Sequence, residues 1–521
     1  MQLTDHDLKQ INQEYLASLS PGGLLHLSGK MLDDLRDARD RLNQTPQNSS
    51  RPPGSYAPWE QAANADKERQ LDDSSDDSSD DSAEKPAETE EEVRTAAHQL
   101  QAATANQLGE NKRKPGKQPG SQGVGREVKL AVTGEIIHQA TSCAGCGGNF
   151  GAAVSFQATT ARYMLDIERT EHGLQVSHVK HIYGEERCGC GHVTQRLPGR
   201  CADEQEWAVA LTEWHLVGPR LSSLMICLSL RMRLSRPRIQ EFLSEWLGIT
   251  LSVGCINQCI HEGGRAVAPL EDAWVAEIQQ SDLLHADETG WQENGHLKWL
   301  WVLRTATVTL YLIGRRNWDV IAASLNGFQG WLMSDGYGQY RYYAKRVRCL
   351  AHILRKARGL AESCHPQAAE FGQQVLKTVD RLIHGVPQAR GDPTRNLLEE
   401  YQGDLAQLRT LCEQHRDHAH EKTRQLAREL RNDWQAIWRV LEYPTLPITN
   451  NPAEQSLRHW VIARKISHGT RTPEGSRAYA LLASVIDTCR QRGLSPWPYL
   501  AEVIAARRQG NAAPPIPQPM G

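Results

Sequence analysis

Nowhere does this 521-residue chain approach the roughly 18 uninterrupted apolar residues that a membrane-spanning helix needs. Arg220 breaks the apolar text between Leu216 and Met232, and Lys298 and Arg304 break that between Leu297 and Ile313, so no membrane partner is expected. The opening MQLTDHDLKQ carries three Asp/Lys charges and no apolar core, so a secretory leader is not expected and the cytoplasm is the default compartment. Twelve cysteines are too dilute for a disulfide scaffold, and in a reducing compartment clustered ones point to metal. What is present is ordinary globular text. Hydrophobic residues at 39% and 41 glycines together give about 47%, within the usual ~45–50%. At ~100–200 residues per domain the length implies roughly three or four domains, which excludes a single small binding module.

The net charge of −3 conceals an asymmetry: residues 72–92 carry −10 and residues 1–71 carry −2, which leaves +9 on residues 93–521. A basic body beside a separable acidic tract suits a polyanionic partner.

Residues 24–42 repeat leucine on one helical face (Leu25, Leu32, Leu35, Leu42) among Asp and Arg, which predicts a helix that either packs on its own protein or forms a short coiled coil. Residues 43–92, with DDSSDDSSDD at their centre, are too polar to bury anything and are expected to be disordered. A helical pattern over 93–108 leads into NKRKPGKQPG, where Lys112, Arg113 and Lys114 either contact phosphates or solvate a linker.

The next block, 128–200, alternates β-like runs with two cysteine knuckles, Cys143/Cys146 and Cys188/Cys190. Two thiolates on a tight glycine turn can face one ion, and two such knuckles complete a tetrahedron around structural zinc, with His181 or His192 as substitute ligands; the alternative is unpaired buried thiols. The 41 residues between the knuckles exceed the usual ribbon spacing of ~15–20, so strands must bring the pairs together. Residues 203–279 read as helices. Within them a helix closed by Gly248 and a second capped by Ser252 have helix-turn-helix dimensions, which makes Arg236 and Arg238 DNA-binding candidates, although such helix pairs also occur in all-α cores.

After residue 280 strands appear. An apolar run ends in Asp287, Asn294-Gly295 predicts a hairpin, and a second apolar run ends in Asp335; the order is βββαβα(β)α, followed by helices over 362–441. Two strand-end aspartates and Glu454 could supply the shared oxygens of a two-magnesium phosphoryl-transfer site. The rival readings are structural: strand-end aspartates form turns, and Asn451-Pro452-Ala453-Glu454 fits a capping box.

The segments HADETGW, SDGYGQY, CLAHILRKARGLAE and LPITNNPAEQSLRHWVIARKISHGTRTPEGSRAYA closely resemble the large transposase of the bacterial insertion sequence sixty-six family, and the likeness extends over almost the whole chain. The resemblance implies a ribonuclease-H-like catalytic fold with a DDE triad of Asp287, Asp335 and Glu454, spaced by 48 and 119 residues, the second gap stretched by a helical insertion. It implies two magnesium ions, for which manganese can substitute, and DNA as partner, both element ends and target, with a homo-oligomer and small accessory proteins on a nucleoid-associated complex. Cys349 and His352 resemble a Cys-x-x-His element of DDE transposases that steadies the site or contacts DNA, the alternative being a packed helix terminus. Arg458 is either a salt-bridge partner of Glu454 or a DNA contact, and Arg355, Arg464, Lys465 and Arg471 are candidate backbone contacts. The acidic tract departs from the basic segment expected there.

The fold expected is therefore multidomain α/β. Residues 1–45 form an N-terminal helical segment and 46–127 the acidic then basic linker; 128–200 are the zinc module and 201–279 the helical DNA-binding region. The catalytic core spans 280–362 and 446–510 around a helical insertion at 363–445. The function expected is end binding, strand cleavage and strand transfer. The rival is a non-catalytic zinc and helix-turn-helix DNA-binding protein on a decayed nuclease fold.

Overall fold

The computed structural model describes residues 10–43, 130–151, 154–202, 207–392 and 394–518. The acidic tract, the helix expected over 93–108 and the basic linker with Lys112, Arg113 and Lys114 lie outside them. The described chain is a mixed α/β structure with two mixed sheets. No described helix is long and apolar enough to cross a membrane.

An N-terminal helix, α1 (Pro21–Leu42), precedes the first sheet. There β2 (Phe156–Thr170) and β3 (Gly173–Arg187) form a long hairpin, β1 (Gly134–His138) runs parallel to β3, and β4 (Val193–Gln195) pairs antiparallel with the end of β3. Because β1 and β3 run in the same direction, their C-terminal ends lie side by side, His138 opposite Tyr183. The β2–β3 hairpin thus absorbs most of the residues between the two cysteine knuckles and returns the second knuckle to the first.

Residues 207–218, expected to be helical, instead form bends and a turn with two isolated bridges, Thr212 to Arg200 and Val217 to Leu165 of β2. Tertiary pairing overrides local propensity there: the Leu165 N–H donates to the Leu216 carbonyl, the Gly218 N–H donates to the Leu165 carbonyl, and Asp166 accepts from the Leu221 N–H. Helices α2 (Pro219–Ile226), α3 (Arg236–Leu247), α4 (Val253–Val267) and α5 (Glu271–Gln279) follow. Gly248 closes α3 at φ 63° and the Ser252 hydroxyl caps α4 by accepting from Cys255 N–H, as the sequence signals required.

The second sheet has the order β7-β6-β5-β8-β9. Strands β5 (Leu283–Glu293), β6 (His296–Arg304) and β7 (Thr309–Gly314) are antiparallel, joined first by Asn294 (φ 51°) and Gly295 (φ 81°), the positive pair a tight I′ turn requires. After α6 (Asp319–Leu325), β8 (Trp331–Ser334) and β9 (Arg346–Arg348) add parallel to β5, with a 3₁₀ turn at Gly338–Tyr342 where a helix was expected between them.

Helices α7 (Leu350–Ala361), α8 (Pro366–Gly391), α9 (Gln402–Gln414), α10 (Glu421–Asn432) and α11 (Trp434–Glu442) pack around Phe371, Val375, Val379 and Leu430, as the helical reading of 362–441 required. Helices α12 (Asn451–Ser467), α13 (Pro473–Gln491) and α14 (Pro496–Arg508) then return to the sheet. The edge strand β7 is covered by α13: Ser484 and Thr488, one helical turn apart, accept from the N–H groups of Tyr311 and Thr309, two residues apart on the strand. The match is geometric, because four helical and two strand residues both advance about 6 Å. It removes an open edge.

Strand β9 is tied to the helical insertion by buried charge. Asp433, fully shielded, accepts from Arg341, Arg346 and Arg348, and Arg348 also binds Glu429 at 2.6 Å. Removing one member of such a network strands the others in a dry interior, at about 3–5 kcal/mol. Asp433→Asn should therefore lower stability by about that amount in chemical denaturation; a change below ~1 kcal/mol would mean that the network is solvated.

Candidate active site

The parallel pairing of β5 with β8 aligns His285 with Met333, so Asp287 and Asp335, each two residues further on, emerge at the same level of adjacent strands. Local backbone holds each of them: Asp287 accepts from Glu288 N–H at 2.9 Å and Asp335 from Tyr337 N–H at 2.9 Å. Glu454 comes from the first turn of α12, which packs on β5. The fully buried Asn450 fixes that turn. Its side chain donates to the Ala286 carbonyl at 2.9 Å and bonds His285 Nδ1 at 3.0 Å, while its N–H donates to Cys349 Sγ at 3.3 Å. Arg304, from β6, reaches the Pro452 carbonyl and the Ser456 hydroxyl in the same turn.

This arrangement corrects the capping-box reading. The helix begins at Asn451 with Asn450 as N-cap, and no side-chain hydrogen bond caps it, because the Asn450 amide is committed to β5. Glu454 is free of that duty and its carboxylate lies 3.8 Å from His352 Nδ1. Cys349, His352 and Glu454 bring ligand atoms within 4.8 Å of one another.

The electrostatics record the convergence. The Asp287 carboxyl is pushed well above its ordinary range by burial and then by the charges of Asp335, Glu288 and Glu454. Glu288, which the sequence reading did not single out, is a fourth acid here. It accepts from Tyr340 O–H at 2.6 Å and from Arg316 at 3.1 Å, yet burial and the Asp335 charge raise it to about 7. Arg316 is itself sandwiched 4.0 Å from the Trp299 ring and 4.2 Å from that of Tyr337. An acidic residue inside an otherwise apolar strand was the signal that could have found Glu288.

A pH dependence follows. Between the ordinary value of 4.5 and about 7 the folded chain keeps a proton on Glu288 that the unfolded chain has lost, so this group's contribution to stability falls as pH rises through that window. Asp287 acts with the same sign. Magnesium should therefore raise the melting temperature more at pH 8 than at pH 5.5, and Glu288→Gln should flatten the difference; an unchanged pH profile in that variant would refute the assignment.

The four cysteines form a second centre. Cys143, Cys146, Cys188 and Cys190 place their sulfurs within 4.8 Å of one another, with Cys143···Cys190 and Cys146···Cys188 both at 3.7 Å. Four thiolates about 2.3 Å from a tetrahedral zinc stand about 3.8 Å apart. The substitutes are not needed: His181 bonds His138 at 2.9 Å, and His192 packs against Gly145.

Of the candidate DNA-binding residues, Arg238, Arg458 and Lys465 are exposed, as is Arg471. Arg236 is half-buried, Arg355 is buried on α7, and Arg464 donates to the Thr289 hydroxyl and the Gly290 carbonyl, which ties α12 to β5. The second half of α4 is buried, leaving Val253, Gly254 and Gln258 outward in its first two turns.

The Transposase IS66 family model matches residues 215–478, a segment that includes Asp287, Asp335 and Glu454 and excludes the cysteine module. Among curated proteins the chain is 27% identical over 185 residues to the uncharacterized protein y4jO of Sinorhizobium fredii, covering 36% of this chain and 55% of that protein. It is 28% identical over 218 residues to the uncharacterized protein y4qI of the same organism, covering 39% and 40% respectively. The chain thus spans about half the length, or less, of these relatives.

Proposed function

The chain belongs to the Transposase IS66 family, and from that membership we propose that it binds the ends of an insertion sequence and catalyses DNA strand cleavage and strand transfer at Asp287, Asp335 and Glu454. The observation that carries this reading is the registration of Asp287 and Asp335 on adjacent parallel strands, with Glu454 brought to them by the Asn450 anchor. The sheet order, three antiparallel strands followed by two parallel ones, supports a ribonuclease-H-like core interrupted by the helical insertion.

Four acids gathered in one partly buried place repel one another unless protons or cations intervene, which is the donor chemistry of a divalent-ion site. Magnesium ions, or manganese in their place, held by Asp287, Asp335 and Glu454 would supply positive charge to the attacking and leaving oxygens of a phosphodiester. The chain's own part is positional. Asn450 and Arg304 fix the turn that carries Glu454, Arg316 and Tyr340 orient Glu288, and His352 stands against Glu454. In cleavage, water oxygen bonds to phosphorus as the bond to the 3′ oxygen breaks, releasing a 3′-hydroxyl; in joining, that hydroxyl oxygen bonds to a target phosphorus as the bond to the target's 3′ oxygen breaks, leaving a 3′-hydroxyl on the target strand.

Exposed Arg238, Arg458, Lys465 and Arg471 suit contacts to phosphates, which position DNA without reading it. The four-cysteine centre suits structural zinc, since four sulfurs leave no open position. Leu25, Leu32, Leu35 and Leu42 are exposed along α1, which supports a homo-oligomer through that helix.

The test is a duplex carrying the terminal sequences of the element that encodes the chain, incubated with the purified protein and magnesium. Nicked ends with free 3′-hydroxyls and products joined to a second duplex are expected. Specific binding without any cleavage would favour the non-catalytic DNA-binding reading. Binding should also persist without magnesium and weaken steeply with salt.

A further inference from the structure

A third cluster of metal-ligating side chains shares no residue with either centre and lies where α1 meets the helical insertion. Asp37 of α1, His365 at the N-cap of α8 and His420 at the N-cap of α10 bring one ligand atom each within 4.8 Å of one another, and all three are half-buried. His365 Nε2 stands 2.9 Å from an Asp37 oxygen, and the His365 and His420 rings are 4.7 Å apart. The cluster opens into a cavity of about 690 Å³ that is also lined by Asp33, Arg36 and His418.

We propose that Asp37, His365 and His420 bind a zinc ion that clamps the N-terminal helix to the helical insertion. Two imidazoles and one carboxylate are a donor set that favours zinc over magnesium, whose preferred partners are oxygens alone. The surrounding shell meets the other requirement of a histidine site, a partner for the second ring nitrogen. His420 Nδ1 lies 2.9 Å from the Thr423 hydroxyl and 3.4 Å from the Thr423 N–H, so the first turn of α10 occupies Nδ1 and Nε2 is the nitrogen that zinc would take, in the tautomer whose Nδ1–H donates to the hydroxyl. Helix α1 is fastened beside His365 by Asp40, three residues beyond Asp37, which accepts from the Ser363 hydroxyl and from the Cys364 N–H at 2.8 Å. The 2.9 Å contact between His365 and Asp37 needs to open only to about 3.3 Å, the edge of a tetrahedron whose ligands stand about 2.0 Å from zinc. Three protein ligands would leave one coordination position for water.

The rival is the His365–Asp37 contact alone, with no ion. Zinc per chain, measured on the full-length protein after equilibrium dialysis against dilute zinc, separates the two. The His365→Gln/His420→Gln protein is expected to hold one zinc fewer than wild type, a difference independent of whether the cysteine centre is loaded. Asp37→Asn, which keeps both imidazoles and the shape of the helix, should weaken the same zinc by at least ~10-fold. Hydrogen exchange over residues 21–42 should slow when zinc is added to wild type and stay unchanged in the double variant. Equal zinc content in wild type and the double variant overturns the proposal, as does zinc-independent exchange of α1 in wild type.

Discussion

Glu454→Gln is expected to abolish strand cleavage and joining while leaving the fold and DNA binding in place. The substitution keeps the size of the side chain and removes one negative oxygen from the group of acids around Asp287. A divalent cation contributes several kcal/mol of charge stabilisation in phosphoryl transfer, so at ~1.4 kcal/mol per decade the rate should fall by ~10³-fold or more. Because Asn450 is the N-cap and Glu454 is the acid of the first turn, glutamine there should cost helix α12 no more than the ~0.3–1 kcal/mol attraction of an acid for a helix N-terminus. Asp287→Asn should give the same loss of activity with an opposite effect on stability. Its carboxylate is held in the folded chain against burial and like charge, so the metal-free variant should melt higher than metal-free wild type. Inactivity with raised stability separates a charge cluster kept for function from one kept for folding. The double variant should be no slower than either single one, since the three acids serve one centre.

Cys146→Ser is the second large effect. A structural zinc in a small module contributes apparent binding energies of ~10–16 kcal/mol at neutral pH, far more than the β1–β4 sheet can replace by packing. The sheet has few alternatives. Tyr163, Leu174, Ile136 and Ile137 are exposed on it, and the knuckles are short turns between strands. The variant should lose its chelator-resistant zinc and become sensitive to protease over 134–195, while the second sheet keeps its melting transition. A zinc-free wild-type chain with a protease-resistant module would refute the assignment.

Much of this architecture was legible in the sequence because local chemistry determines it. Asn294-Gly295 demands a tight hairpin, Gly248 and Ser252 punctuate α3 and α4, and an apolar run ending in aspartate marks β8, whereas Asp287, expected at a strand end, lies mid-strand because pairing with β6 carries β5 on to Glu293. The cysteine spacing correctly required strands between the knuckles. What was hidden depends on partners distant in the chain. Asn450 and Asn451 are equally good caps on paper, and only the position of β5 decides that Asn450 turns away from the helix and Glu454 is released from capping. Nothing in the helical reading of 362–441 marks Asp433, which accepts from three arginines. Residues 207–218 read as helix until Leu165 of β2 offers a backbone partner. Arg464, a candidate DNA contact, is engaged on the sheet by Thr289 and Gly290.

The most direct test of a shared ion centre is manganese binding to the DNA-bound protein, counted by electron paramagnetic resonance. Wild type is expected to hold two interacting manganese ions per active site, and Asp335→Asn and Glu454→Gln each to weaken both together. Unchanged manganese binding in an Asp335→Asn/Glu454→Gln protein would contradict the assignment of these carboxylates as the catalytic ligands.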